Sequence, residues 1–424
     1  MSVLALASLA ACISPGGARP TTPAYSGAAR PDPSRPGRPE DPAPSAPVSE
    51  RYADSRNAYA PRHIPREQIP NIKRVAVLLP FDSTDPTAKA YAKGLYNAIQ
   101  LALFERPENR NVVLMPRDVS NLDPGATARV AEEAIKDGAI AVIGPLNAQQ
   151  VSAVAGRAAE VRAPVFTFST DASVAGQGAY LMSLTARAEV KRIVEWASQQ
   201  GVTRFAMFGP DTAYARMVDM ALRDEAAAHA AAVFGVEYYA AGNPSPQANA
   251  ARLAQQIQSE NRVFPNKVAV LIPESGNGLR SAASLLRSAS ATNQSQVRFL
   301  GTSATWNNPE IWRETSLEGG AFPAPDPAVL ATFENKYRAI YGEAPPGVAS
   351  FGYDAGALVS ALAGEDRLDA AMIQRAPGFG GVNGLYRFQP DGSADRALAV
   401  MQIQGRTGAK VVSPALQAFA DRPS

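Results

Sequence analysis

AIAVIGPLNAQQV, residues 139–151, decides the fold. Its first half is a nearly continuous apolar run, too short for a helix and rich in β-branched residues. Such a run is a strand covered on both faces. It stops at Gly144-Pro145 and gives way to the polar Asn147 and Gln149. The same texture recurs in RVAVLLP (74–80), NVVLMP (111–116), PVFTFS (164–169), RFAMFGP (204–210), AVFGVEYY (232–239), KVAVLIP (267–273) and VRFLGT (297–302). Helical stretches separate these runs. In TAKAYAKGLYNAIQLALFE, Ala88, Tyr91, Leu95, Ile99 and Ala102 fall on one face, and GATARVAEEAIKDG offers Ala128, Ala131, Ala134 and Ile135 with Gly138 as a C-cap. Strand–helix alternation on this scale gives an α/β fold of parallel sheets with right-handed crossovers. There are too many units for one simple sheet, so two α/β lobes are expected. Several runs end in Pro or Gly followed by polar residues, at the carboxyl ends where open α/β sheets bind ligands.

The rest of the chain differs in composition. Of 35 prolines, 13 lie between Pro15 and Pro70. That stretch cannot bury a core, so residues 13–70 are expected to be a disordered, partly polyproline tether. Before it, MSVLALASLAAC ends in Leu9-Ala10-Ala11-Cys12, which matches the bacterial lipobox; residues 1–12 read as a lipoprotein signal peptide with Cys12 as the lipidated residue. Ile13, where Asp would signal inner-membrane retention, favours the outer membrane, with the protein facing the periplasm. No other stretch approaches the ~18 apolar residues of a span, so a lipid is the expected membrane attachment. Residues 411–424 read as a polar tail.

The chain's net charge is +2, which leaves no footprint for nucleic acid. Cys12 is the single cysteine, and the two histidines are His63 in the tether and His229 in an Ala-rich helix. Cys–His catalysis and His-rich metal sites are thereby excluded. No GxSxG elbow, Walker loop or HExxH occurs, and PESGNGLR (273–280) fails as a dinucleotide turn. The sequence reads as that of a non-enzyme without cofactor or metal.

The order of these pieces resembles the type I periplasmic-binding-protein superfamily, in its leucine/isoleucine/valine-binding branch. The landmarks are VAVLLPFDST with Gly94 in the first helix, AIAVIGPLNAQQV, APVFTFSTDAS, FGPDTAYAR, FLGTSATWNNPEIW, EGGAFPAPDP, FGYDAGALVSAL and GVNGLYRFQPDGSADRALAVMQI. The resemblance implies two Rossmann-like lobes over residues 72–410, joined by three crossover hinge strands. Lobe one would be about 72–186 and 324–372, lobe two about 187–323 and 373–410. Within the superfamily, GPLNAQQV, YLMSLTARAEVKRIVEWA with Glu189, and GTSATWNNPEIW are most similar to penicillin-binding-protein activators of the LpoA type.

Two functions follow from the resemblance. One is a lipid-anchored regulator that activates a bifunctional penicillin-binding protein, a peptidoglycan synthase. The other is an amino-acid or small-molecule receptor of an ABC importer. Candidate cleft residues are Ser83, Asn147, Gln149, Ser169, Thr170, Asp171, Tyr214, Trp306, Asn307 and Tyr353, with Glu310 as an ammonium partner. Amino-acid binders of the family catch the ligand carboxylate with Ser and Thr hydroxyls at the first-lobe strand ends. Here Asp171 falls near an expected threonine and opposes such a carboxylate. These residues therefore favour the regulator, with room for a small polar ligand in the inter-lobe cleft.

Overall fold

The computed structural model describes residues 72–106, 111–243, 245–293, 295–364 and 368–419. Cys12, the 1–12 leader, the 13–70 tether and residues 420–424 of the tail lie outside the described residues.

The fold is α/β, with two mostly parallel sheets. The first has the order β2-β1-β3-β4-β5, from β1 (Lys73–Leu79), β2 (Val112–Asp118), β3 (Ala139–Ile143), β4 (Val165–Thr167) and β5 (Ala179–Leu181). Its pairs are all parallel. Both faces are covered, which is why the strands read as unbroken apolar runs. Val75, Val77 and Leu79 enter one core, while Ala76 and Leu78 enter the other. Gly144 lets the end of β3 pass against β1: its φ is +91°, and a Cβ there would meet the Leu78 carbonyl oxygen at 2.2 Å.

The second sheet has the order β15-β14-β10-β9-β8-β6-β7. Its parallel part is β6 (Arg204–Pro210), β7 (Ala232–Tyr239), β8 (Val268–Leu271), β9 (Val297–Leu300) and β10 (Ala321–Ala324); β14 (Ala399–Ile403) and β15 (Ala409–Ser413) add antiparallel. Ala206 and Phe208 point to one face, Phe205 and Met207 to the other.

The helices that matter below are α1 (Pro86–Phe104), α2 (Pro124–Lys136), α3 (Ala148–Glu160), α4 (Ala186–Gln199), α5 (Ala213–Ala228), α6 (Gln247–Val263), α7 (Gly276–Ser290), the single turn α8 (Ser303–Trp306), α9 (Pro327–Tyr341) and α10 (Ala349–Leu362). On α1 the expected face is buried at Leu95, Ile99 and Ala102, while Tyr91, nearer the start of the helix, is exposed. Tyr337 and Tyr341 of α9 hold onto α1 through Asn97, whose Nδ2 donates to the Tyr337 hydroxyl at 3.2 Å and whose carbonyl accepts from the Tyr341 hydroxyl at 2.7 Å.

The chain leaves the first sheet after β5 and enters α4 of the second lobe. It returns through β10 to α9. The third passage falls at Ala397 and Leu398, well beyond the boundary near residue 373 that the resemblance implied. The cause is aromatic packing. Residues 379–396 form a small antiparallel sheet of β11 (Phe379–Gly381), β12 (Gly384–Phe388) and β13 (Ala394–Arg396). Phe388 lies 6.2 Å from the Phe166 ring and 5.2 Å from Tyr180, and Phe379 and Tyr386 share the same core as β1 and β3. This segment therefore belongs to the first lobe. The expected tail is also shorter, because β15 pairs with β14 as far as Ser413.

Under this small sheet lies a buried polar knot. Asp354 of α10 accepts from the Val382 N–H at 2.6 Å and from Asn383 Nδ2 at 2.9 Å. Arg396 Nη1 sits 3.8 Å from Asp354 Oδ2, with both side chains fully buried. Arg396 also donates to the Met182 carbonyl, and so joins the first passage to the third. Burial pushes the Asp354 carboxyl up to about 6, against the pull of Arg396 and the Asn383 and Val382 donors.

Candidate functional site

The carboxyl ends of the first sheet's strands form one polar wall. Thr167 closes β4 by donating its hydroxyl to the Pro145 carbonyl at 2.8 Å while accepting the Ser169 N–H at 3.1 Å. Ser169 is buried; its hydroxyl accepts the Asp171 N–H at 3.2 Å, and its carbonyl accepts from the Ser183 hydroxyl. These hydroxyls knit the wall together, and Thr170 beside them is exposed. Asp171 caps the turn that follows: its Oδ1 accepts the Ser173 hydroxyl at 2.7 Å and the Ser173 N–H at 2.9 Å. Those two bonds hold its carboxyl below the ordinary value, so Asp171 presents a negative charge at this lip.

Asn147 caps α3, accepting from the N–H groups of Gln149 at 2.9 Å and Gln150 at 3.4 Å. Gln149 is exposed. Ser83 is half-buried at the end of β1, where its hydroxyl accepts the Asp85 N–H at 3.1 Å. Asp85 in turn caps α1. The three candidates lie on the loops that end β1 and β3.

The second wall is made by β6 and β9 of the other sheet. Tyr214, in the first turn of α5 after β6, places its hydroxyl 2.6 Å from that of Thr302, which follows β9. Thr302 also meets the Thr305 hydroxyl at 3.0 Å. Ser303 donates its N–H to Glu189 Oε1 at 2.6 Å, and its hydroxyl donates to the same oxygen. Glu189 comes from the first turn of α4 and is 1% exposed. Burial raises its carboxyl to about 7, although the Ser303 donors pull the other way. Burial, then the nearby Glu189, lifts the Tyr214 phenol well above its usual value. Asn307 is exposed at the end of α8.

The two walls are tied to the same short piece of chain. Ser183 touches the first wall through Ser169, and Glu189, six residues further on, touches the second through Ser303. Six residues span at most about 20 Å, so the clusters flank the first passage between the lobes.

Two candidates do not belong to this surface. Trp306 is fully buried; it donates its indole N–H to the Ile272 carbonyl at 2.9 Å and packs so closely that a Cβ on Gly301 would lie 2.2 Å from its ring. The short helix that holds it turns the ring into the core, with Thr302 buried beside it and Ser303 half-buried at the edge of the wall. Tyr353 bonds Glu105, the C-cap of α1, and stacks edge-on with Phe333 at 5.5 Å. Ser83 stands near the opposite end of that 19-residue helix, roughly 28 Å away. Conversely, Thr302 and Ser303, within FLGTSATWNNPEIW, belong to the second wall although neither is among the candidates the sequence offers. Their signal was hydroxyls at the end of a covered strand. Among the described residues no cluster of three His, Cys, Asp or Glu side chains is placed to hold a metal ion.

The chain matches the family described as periplasmic binding protein over residues 74–409, and it belongs to that family. Its architecture is that of the type I, leucine-binding-like superfamily. No curated protein matches it. Among solved structures it is similar in fold to a putative branched-chain amino acid ABC transporter protein from Rhodospirillum rubrum, at 19% identity and a TM-score of 0.65, over 80% of this chain and 100% of that one. A substrate-binding protein from Desulfitobacterium hafniense in complex with Leu is 18% identical with a TM-score of 0.55, over 80% of this chain and 99% of that one. A solute-binding protein from R. palustris in complex with benzoate is 17% identical with a TM-score of 0.51, over 82% and 98%.

Proposed function

We propose that this chain is a periplasmic solute-binding protein of the ABC-importer kind, taking a small polar ligand between its two walls. The observation that carries this reading is the second wall. A buried carboxylate, Glu189, fixes Ser303, and the hydroxyls of Thr302 and Tyr214 are locked together beside it. A preformed set of donors and acceptors at strand ends is what a solute site needs. Membership of a binding-protein family, and the leucine and benzoate complexes of similar fold, support the same reading. Native mass spectrometry tests it. Protein purified gently from its host should carry a small mass that disappears after unfolding and refolding, and refolded protein should regain it from a periplasmic extract. A bare protein mass in every preparation contradicts the reading.

A second reading is favoured by the first wall. Thr167, Ser169 and Ser183 spend their hydroxyls on backbone N–H and carbonyl groups of the wall itself, and ionised Asp171 opposes a ligand carboxylate. Such a wall suits a protein that meets another protein: a regulator anchored at the outer membrane through Cys12, which activates a bifunctional penicillin-binding protein. Co-purification of the two at micromolar concentration, with a raised glycan-polymerising rate, would support this second reading; absence of both would remove it.

A further inference from the structure

Consecutive residues of β13 face opposite lobes. Arg396 points inward to Met182 and Asp354 of the first lobe. Asp395 points outward, where its Oδ1 accepts Lys191 Nζ of α4 at 3.1 Å. Its other oxygen accepts Arg387 Nη2 at 3.1 Å and the Gln389 amide. The Lys191–Asp395 pair thus spans from the second lobe to the first. A second bridge lies beside it. Residues 414–419 leave the second sheet at Ser413 and run back to the small sheet, where the Arg387 guanidinium lies 4.7 Å from the Phe419 ring.

These groups wall a cavity of about 610 Å³ that draws residues from both lobes. Most of its charges are already used. Lys191 and Arg387 share Asp395, Arg192 donates to the Leu398 carbonyl at 2.8 Å and the Ser413 hydroxyl at 2.6 Å, and Asp391 is bonded to Ser393. Few of the cavity's charges are therefore left to meet a free ligand.

The three covalent passages define where the lobes hinge. How far they separate is set by contacts outside those passages. The Lys191–Asp395 pair and the Arg387–Phe419 contact are two such links. An exposed ion pair alone is weak, but Asp395 is shared by two cations and an amide, and its side chain is only 20% exposed. We propose that Lys191, Asp395, Arg387 and Phe419 form a clasp across this cavity that restrains separation of the two lobes. None of the four residues belongs to either polar wall, so the clasp sets the open-to-closed balance without touching ligand.

The test measures lobe separation directly and requires no ligand. Spin labels are placed on Lys89→Cys in α1 and Gln255→Cys in α6, in the full chain carrying Cys12→Ser. Distance distributions are recorded by electron–electron double resonance, with circular dichroism to confirm folding. Lys191→Gln and Phe419→Ala should each raise the fraction of long distances by roughly fivefold, the lower end of ordinary coupling between sites. High salt should do the same to the parent protein and add little to Lys191→Gln. Arg252→Gln breaks a 2.8 Å ion pair to Glu237 inside the second lobe and serves as the control. Folded Lys191→Gln and Phe419→Ala proteins whose distributions both match this control would overturn the clasp.

Discussion

Glu189 and Ser303 are far apart in sequence, yet the carboxylate of one accepts both the N–H and the hydroxyl of the other. This pairing fastens the start of α4, just past the first passage between lobes, to the loop that ends β9. It also leaves a carboxyl inside the protein whose charge is costly.

The first prediction follows from that cost. Burial raises Glu189 from 4.5 to about 7, so the folded protein binds this proton more tightly than the unfolded chain. Its stabilising contribution is full below pH 4.5 and is lost as the pH rises through 7. Denaturant unfolding at pH 5 and pH 8 should show the parent losing on the order of 2–3 kcal/mol more than Glu189→Gln over that interval.

Asp354 is the partner of a buried guanidinium. Asp354→Ala leaves Arg396 without its counter-charge and frees the donors of Val382 and Asn383. Loss of one member of a buried pair costs about 3–5 kcal/mol. Urea unfolding should show a loss of that order, whereas Lys136→Gln, which breaks the exposed pair with Glu132, should leave the midpoint close to the parent's.

How much of this was legible follows from what each residue touches. The eight apolar runs became β1 to β4 and β6 to β9, because sheets covered on both faces impose unbroken hydrophobicity. The passages were harder: β5 and β10 are three and four residues long and, unlike the equally short β4, β8 and β9, contain no β-branched residue. Phe379, Tyr386 and Phe388 sit among glycines, and nothing local says which lobe their rings will enter. Trp306 and Tyr353 stood out as large aromatic residues near landmarks, but a side chain's direction depends on helix register that only the packed structure fixes. Thr302 and Ser303 carried the opposite error, being small and unremarked beside a tryptophan.

Trp306 supplies a prediction that separates core from cleft. Trp306→Ala should cost about 3–5 kcal/mol in unfolding free energy. Gly301→Ala should also destabilise, since its Cβ would strike the ring. Asn307→Ala, at an exposed position, should leave stability within about 0.5 kcal/mol of the parent.

Asp171 should govern which ligands the first wall accepts. Asp171→Ser keeps a capping oxygen for the turn at Ala172 and removes the charge. Two unit charges 4 Å apart in water cost about 1 kcal/mol, so affinity for carboxylate-bearing ligands should rise roughly fivefold by calorimetric titration, with little change for uncharged ones.

The central claim is that the two walls hold a small polar solute, and a thermal-shift screen of the full chain against amino acids, aromatic carboxylates, sugars and polyamines tests it most directly. The account predicts that at least one class raises the melting temperature in a dose-dependent way, with about 2.7 kcal/mol of stabilisation at a hundred times its Kd. The same ligand should lose that effect in Thr302→Ala. A flat response to every class in the parent protein, or a shift that Thr302→Ala leaves unchanged, would contradict it.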